Sequence, residues 1–187
     1  SRSFTIDTIA PTVDITSHNK GDLVKGKITI TGEVRDLNLS HYWFVITNSS
    51  ETTVAGPGKV QTSANPAQIT LDWNTKNFPD GEYTLKLEAR DLADNKGSGS
   101  KEWVKIVVDN ASPTTTITTP EENTLWSKPI DIRGSSTDNN GIYSVSLEYA
   151  PYNSVAGTCG TYKDITTLTT GTYNNWSFEG WTPTTEG

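Results

Sequence analysis

The residues in this sequence best suited to chemistry are loop carboxylates and amides that could share a metal ion. Asp36 lies in one inter-strand loop, Asp91, Asp94 and Asn95 lie in a second, and Asp7 lies near the N-terminus. They offer hard oxygen ligands with no His or Cys among them, and Ca²⁺ takes roughly six to eight such oxygens in a flexible geometry. A calcium site follows if the fold brings both loops and the N-terminal segment to one end.

Alternating apolar and polar residues predict the strands that would position these loops. The alternation is clearest in residues 28–34, 83–89 and 104–108, and further strands are predicted around residues 13–15, 42–46 and 69–73. Turn residues separate them at 19–21, 48–50, 56–58, 79–81 and 96–99. About seven short antiparallel strands in some 100 residues, with no helical period, predict a β-sandwich of the immunoglobulin type, with Tyr83 placed as its tyrosine corner.

An internal repeat indicates two such domains. Residues 7–16 recur as residues 109–118, an offset of 102, and the match continues from Gly32 to Gly134 and from Asp36 to Asp138. We predict that residues 1–8 are the last strand of a preceding repeat or a linker, and that residues 9–109 and 110–187 are tandem immunoglobulin-like domains. Because residues 185–187 resemble the turn at 79–81, we predict that the second domain lacks its final strands.

In an immunoglobulin-type sandwich, the loop that holds Asp36, the loop that holds residues 91–95 and the N-terminal linker lie at the same end. Asp7, Asp36, Asp91, Asp94 and Asn95 are therefore expected to converge on calcium. The second domain offers a matching half-site, formed by Asp109, Asp138 and Asn139. The alternative is that Asp and Asn occupy these loops because they cap turns and tolerate unusual backbone angles.

Three segments make the chain similar to the bacterial immunoglobulin-like repeats of cell-surface proteins and large adhesins. They are the Asp-x-x-Ala-Pro-Thr linker at 7–12, the Asp-Gly-Glu-Tyr-Thr-Leu turn and strand at 80–85, and residues 89–95, where Asp94 stands at a position usually occupied by Gly. The resemblance implies an extracellular location, neighbouring repeats as partners and calcium at domain junctions. It does not separate spacers from adhesive tips or enzyme appendages.

Exposed tryptophans are a second candidate site. By alternation Trp43 and Trp103 point away from the core and flank Lys86 and Glu88, and Trp126 lies in a loop of the second domain. Such rings can stack on sugars, which would make the chain a module that binds a glycan or a host or cell-surface protein. They can equally lie under Lys and Arg stems or against a neighbouring domain.

Several function classes are disfavoured. The net charge of −7 argues against nucleic acid and anionic membranes as partners, and no apolar run is long enough to span a bilayer. His18, His41 and Cys159 form no nucleophilic motif. We therefore expect a non-catalytic extracellular stalk or spacer. The alternatives are a binding module for a glycan or protein and the accessory region of a secreted hydrolase.

Overall fold

The computed structural model describes residues 3–124, 126 and 129–183, and most of these residues lie in β-strands. The chain divides into two compact units, residues 1–110 and 111–187. In the described part of the chain, the helices are short 3-10 turns, at Thr75–Asn77 and Tyr173–Asn175. The predicted all-β fold class is confirmed.

The first unit is a sandwich of two sheets. One sheet has the strand order β6-β3-β1-β8 and the other β2-β9-β7-β4-β5. The strand bounds are β1 (Thr12–Ile15), β2 (Leu23–Val24), β3 (Lys27–Arg35), β4 (Leu39–Asn48), β5 (Thr53–Gln61), β6 (Ala67–Asn74), β7 (Gly81–Asp91), β8 (Ser98–Lys101) and β9 (Trp103–Val108). β1 pairs with β3, and β2 pairs with β9, so the segment that precedes β3 contributes one strand to each sheet.

The inward-facing residues of both sheets form the core of the first unit, as the alternation predicts. Phe44, Leu85 and Ile106 from one sheet are fully buried against Ile30 from the other. At the start of β7, the hydroxyl of Tyr83 donates a hydrogen bond of 2.8 Å to the carbonyl oxygen of Pro79. This is the predicted tyrosine corner, and it fixes the turn that leads into the central strand of the larger sheet.

The predicted turn at residues 56–58 is wrong, because Gly56-Pro57-Gly58 lies inside the edge strand β5. The pairing of β4 with β5 shifts register between Phe44 and Ile46, which accommodates an extra residue on β5. Gly56 has φ 110°, and a Cβ there would overlap the carbonyl oxygen of Phe44. The glycines and the proline therefore build a bulge on an edge strand, where Pro is tolerated.

The second unit also places strands in two layers around a small core. Its larger sheet has the order β10-β11-β16, β12 pairs with β15, and β13 and β14 form a short hairpin. The strand bounds are β10 (Thr114–Thr119), β11 (Ile130–Thr137), β12 (Val145–Tyr149), β13 (Tyr152–Asn153), β14 (Thr158–Cys159), β15 (Lys163–Leu168) and β16 (Trp176–Trp181). The residues at 185–187, where the sixth strand of this unit is predicted to begin, lie outside the described part.

Strand register shows how the two units correspond. Ile28 pairs with Trp73 in the first unit, and Ile130 pairs with Trp181 in the second, so Trp181 occupies the position of Trp73. Trp176 pairs with Gly134, and Gly32 pairs with Ile69, so the large indole stands where the first unit has an isoleucine.

Candidate functional site

Three of the predicted acidic residues lie together at one pole of the first unit. Asp7 comes from the N-terminal segment, Asp36 from the loop after β3, and Asp91 from the end of β7. One carboxylate oxygen from each lies within 4.8 Å of the others. Asp36 and Asp91 are only 8% and 3% exposed, so two of the three carboxylates are withdrawn from solvent.

Hydrogen bonds tie the N-terminal segment to both loops at this pole. The side-chain amide of Asn38 donates to Oδ2 of Asp7 at 2.6 Å. The amide of Asn95 donates to the carbonyl oxygen of Asp7 at 3.1 Å and to Oδ2 of Asp91 at 2.7 Å. Asn38 was not singled out in the sequence, although it stands two residues after Asp36, where such a loop turns back.

The buried carboxylates also shape their own loops. Oδ1 of Asp91 accepts backbone N–H groups from Ala93 at 2.9 Å and Asn95 at 2.8 Å, and Oδ1 of Asp36 accepts the N–H of Asn38 at 2.7 Å. These are the short-range bonds by which Asp stabilises turns. Asp36 and Asp91 therefore do stabilise their turns, which is the role given above as the alternative to metal binding. Each carboxylate still has oxygen lone pairs that these backbone hydrogen bonds do not use.

The charge of the cluster is not balanced by a nearby base. Among the described residues, Asp7, Asp36 and Asp91 make no ion pair with Lys, Arg or His. The backbone N–H of Ile9 and then the Asn38 amide lower the pKa of Asp7, so this carboxyl stays ionised to lower pH than usual. Unpaired like charges this close repel one another, and a cation at their centre would remove the repulsion.

Asp94 lies at the same pole but faces away from the cluster. Its carboxylate pairs with Arg90 at 2.9 Å and is largely exposed. Asp94 has φ 67°, a left-handed conformation that explains why Gly is usual at this position and why Asp is tolerated there. Asn95 lies beside the carboxylates, whereas Asp94 does not contribute to the group.

The residues of the predicted half-site are divided between the units. Asp109 belongs to the first unit, and its buried Oδ1 has no hydrogen-bond partner among the described residues. Asp138 and the exposed Asn139 belong to the second, where Oδ1 of Asp138 accepts the N–H of Asn140 at 2.9 Å, as Asp36 does with Asn38. An ion at this half-site stays a prediction.

Asn110, which was not predicted from the sequence, is a second amide residue that forms hydrogen bonds at the end of the first unit. Oδ1 of Asn110 accepts the N–H of Gly26 and the hydroxyl of Thr75, both at 3.0 Å. Its Nδ2 donates to the carbonyl oxygen of Thr75 at 3.2 Å. The signal that was available is its position, immediately after the linker aspartate Asp109.

The three candidate tryptophans differ in their surroundings. Trp43 is half-buried; the His41 ring meets it edge-on at 4.3 Å, and Nζ of Lys59 lies 5.2 Å from its centre. Trp103 is 53% exposed and Trp126 is 50% exposed. The interpretation that these rings lie under basic stems describes Trp43. It does not describe Trp103, which makes no ring or cation contact among the described residues.

His41 beside Trp43 makes the stability of the first unit depend on pH. Burial lowers the pKa of His41, helped by the charges of Lys59 and Arg90, so the folded state binds its proton less readily than the unfolded chain. Stability should therefore fall as pH drops below about 6.5 towards the folded pKa. Thermal unfolding of His41→Gln between pH 7.5 and 5 should show a smaller decrease in Tm than the unaltered chain.

His18 supplies the control for this prediction. Burial lowers the pKa of His18 as well, and Asp22 opposes that shift as Asp94 does for His41, but among the described residues no basic neighbour adds to the lowering at His18. His18→Gln should therefore change the pH profile less than His41→Gln. Equal pH profiles for the unaltered chain and His41→Gln would contradict the prediction.

Cys159 is exposed and forms no disulfide among the described residues. No helix in the part of the chain that the structure describes has the length and apolar character needed to cross a membrane.

Comparison with protein families shows that residues 11–87 match the model of the bacterial Ig domain. A search of the curated proteins finds no match. Among solved structures, an endo-β-1,4-mannanase from Thermotoga petrophila is 16% identical over 56% of this chain and 21% of that chain, with a TM-score of 0.40. The fibronectin(III)-like modules of CbhA from Clostridium thermocellum are 17% identical over 54% of this chain and 100% of that chain, with a TM-score of 0.34. At these scores neither structure supports a conclusion about function.

Proposed function

We propose that the chain, whose residues 11–87 match the model of the bacterial Ig domain, is a stalk or spacer of a bacterial surface protein, stiffened by calcium. Domains of this family are typically non-catalytic modules of cell-surface proteins. A spacer has to restrain the segments at its two ends. If those segments were flexible, the domain would neither fix the position of its neighbours nor transmit force between them.

The hydrogen bonds at both ends of the first unit support a spacer. At one pole Asp7 is held by Asn38 and Asn95, which belong to two different loops. At the end of the unit Asn110 is held by Gly26 and Thr75. Both terminal segments of the unit are therefore bound to loops of the sandwich, which restricts the directions in which they leave it.

The observation that carries the calcium proposal is the group of Asp7, Asp36 and Asp91, which is partly buried and has no ion-pair partner among the described residues. Carboxylates with a neighbouring amide suit a hard cation, and the absence of His or Cys in the group disfavours zinc. Calcium suits such a group better than Mg²⁺, which requires near-octahedral geometry and retains water. Because Asp7 is on the linker and the other two are on the sandwich, a bound ion would join the two.

Calorimetric titration with Ca²⁺ in chelator-treated buffer tests the proposal. We expect binding heat, a rise in Tm, and slower hydrogen exchange of the amides in residues 4–9. Asp7→Asn keeps an oxygen to accept the Ile9 N–H but removes one charge, so calcium affinity should fall by about tenfold or more. Residues 4–9 should then lose their calcium-dependent protection.

Asp94→Asn is the matched control, because it removes an acidic charge from the same pole without touching the group. Its calcium affinity should equal that of the unaltered chain. Neither heat nor a rise in Tm on adding calcium would refute the ion site. An equal loss in Asp94→Asn and Asp7→Asn would show that only the general negative potential attracts the ion.

A further inference from the structure

We propose that the outer face of the five-stranded sheet in the first unit binds an uncharged oligosaccharide chain, with Trp103 as its stacking platform. This face contains a groove of about 440 Å³, whose walls include Trp103, Asn48, Thr84, Lys86, Glu88 and Lys105. It lies on the broad side of the sandwich and shares no residue with the acidic group of Asp7, Asp36 and Asp91.

Trp103 has the placement of a ligand-stacking residue. It is 53% exposed and is the first residue of β9, where its strand partner is Lys86 on β7. Pairing with β7 fixes the backbone at Trp103, so the ring presents its area at a smaller loss of entropy on binding than a residue of a mobile loop would. Exposed indole of this kind offers sugar C–H groups a flat apolar surface, with an N–H donor at its edge.

The polar groups around Trp103 suit hydroxyl-rich ligands. Among the described residues, the side chains of Lys86, Glu88 and Glu102 have no hydrogen-bond or ion-pair partner. They therefore offer donors and acceptors that a ligand could engage without breaking an existing bond. Each sugar hydroxyl can both donate and accept hydrogen bonds, so it can pair with the ammonium donor and the carboxylate acceptors of this groove.

The charges of the groove select against ionic ligands. Its lining holds four acidic residues and three basic ones, and two of these, Lys105 and Glu82, already pair at 2.6 Å. The sum of −1 gives no field that would concentrate an anion such as a nucleic acid or an acidic glycan. The acidic residues are Glu51, Glu82, Glu88 and Glu102, and the basic ones are Lys86, Lys96 and Lys105.

A neighbouring depression extends the groove towards Trp43. It has a volume of about 280 Å³, and its lining includes Trp43 and Val45 as well as Lys86 and Glu88, which both depressions share. Val45 pairs with Lys86, and Trp43 pairs with Glu88 two residues further along. From the spacing of strands and residues, Trp103 and Trp43 are separated by roughly 12 Å at the backbone. A ligand that contacts both rings must therefore be a chain of several sugars.

Titration of the full chain with tetrasaccharides tests the proposal. The probes are the β-1,4-linked tetramers of glucose, mannose, xylose and N-acetylglucosamine, with tetragalacturonate as the anionic comparison, followed by calorimetry and by ¹H–¹⁵N spectra. We expect at least one neutral tetramer to bind and to shift the amides of Thr84, Lys86 and Trp103. Trp103→Ala should weaken that binding by about tenfold or more.

Tyr143→Ala is the matched control, since Tyr143 is an aromatic residue that is 91% exposed but lies in the other unit. It should leave affinity unchanged. Binding by none of the neutral tetramers overturns the proposal, as does stronger binding of tetragalacturonate or an equal loss in the two variants. Self-association that Trp103→Ala abolishes, without sugar binding, would identify the face as a protein contact. The amide shifts in the unaltered chain keep the test decisive if Trp103→Ala fails to fold.

Discussion

Gly134→Ala is expected to destabilise the second unit by about 3 kcal/mol, enough to unfold much of it. A Cβ at Gly134 would overlap both the carbonyl oxygen of Thr116 on β10 and the indole ring of Trp176 on β16. Gly134 is on β11, between these two strands, so relief in one direction increases the overlap in the other.

The core of the second unit has little capacity to absorb that overlap. Among the described residues its buried cluster consists of Ile132, Val145, Leu147 and Trp176. The indole is also held in place, because its Nε1 donates a hydrogen bond of 3.0 Å to the hydroxyl of the buried Ser136. Moving the ring would break that bond and disrupt most of the cluster.

Gly32→Ala is the control, since Gly32 occupies the same position in the first unit. Its Cβ would lie 3.0 Å from the carbonyl oxygen of Asp14 and 3.1 Å from Cδ2 of Leu87, which are tight but tolerable distances. The strand residue opposite is Ile69 instead of a tryptophan. We expect a cost of at most about 1 kcal/mol, because alanine also restricts the unfolded chain.

Hydrogen exchange measured peptide by peptide along a urea series separates the two units. In Gly134→Ala, protection of β11 and β16 should disappear at lower urea than in the unaltered chain, while protection of β3 and β7 is retained. If Gly32→Ala and Gly134→Ala lose similar stability, the indole over Gly134 does not set the packing of the second unit.

The sequence predicted the first unit well because its strands bury one face each. Period-two alternation identifies such strands directly, and the tyrosine corner was confirmed at Tyr83. Edge features were not predictable in this way. The glycines of β5 signal a turn locally, and only pairing with β4 shows that they form a bulge. The short strands β2 and β8 are defined by their partners, not by their own sequences.

The sequence also predicted a meeting of acidic residues without predicting its details. Two loops and a linker at one pole follow from the topology, and the structure brings Asp7, Asp36 and Asp91 together there. The orientation of the Asp94 side chain depends on its ion pair with Arg90. The alternation of apolar and polar residues predicts which face of a strand is buried, but it does not predict how side chains in loops are oriented. The contact of Asn38 with the linker was missed for the same reason.

Asp36→Asn should change stability in opposite directions with and without calcium. In chelator, the substitution removes one of three neighbouring negative charges, so the first unit should become more stable by about 1 kcal/mol. Asparagine retains an oxygen that can accept the N–H of Asn38, so the turn itself should survive. With calcium at about 100 times its Kd, the unaltered chain gains about 2.7 kcal/mol, whereas a variant that binds about a hundredfold more weakly gains only about 0.4 kcal/mol. The order of the two melting temperatures should therefore reverse.

The reversal decides between the two roles that the sequence left open for these residues. If Asp36 serves only to cap its turn, Asp36→Asn changes stability by the same small amount in chelator and in calcium. If it is a ligand, the sign depends on the ion. Asp94→Asn should show no such dependence, because its exposed ion pair with Arg90 contributes at most about 1 kcal/mol in either buffer. Melting curves of the three chains, each in chelator and in excess calcium, therefore separate a metal centre from a set of turn-forming aspartates.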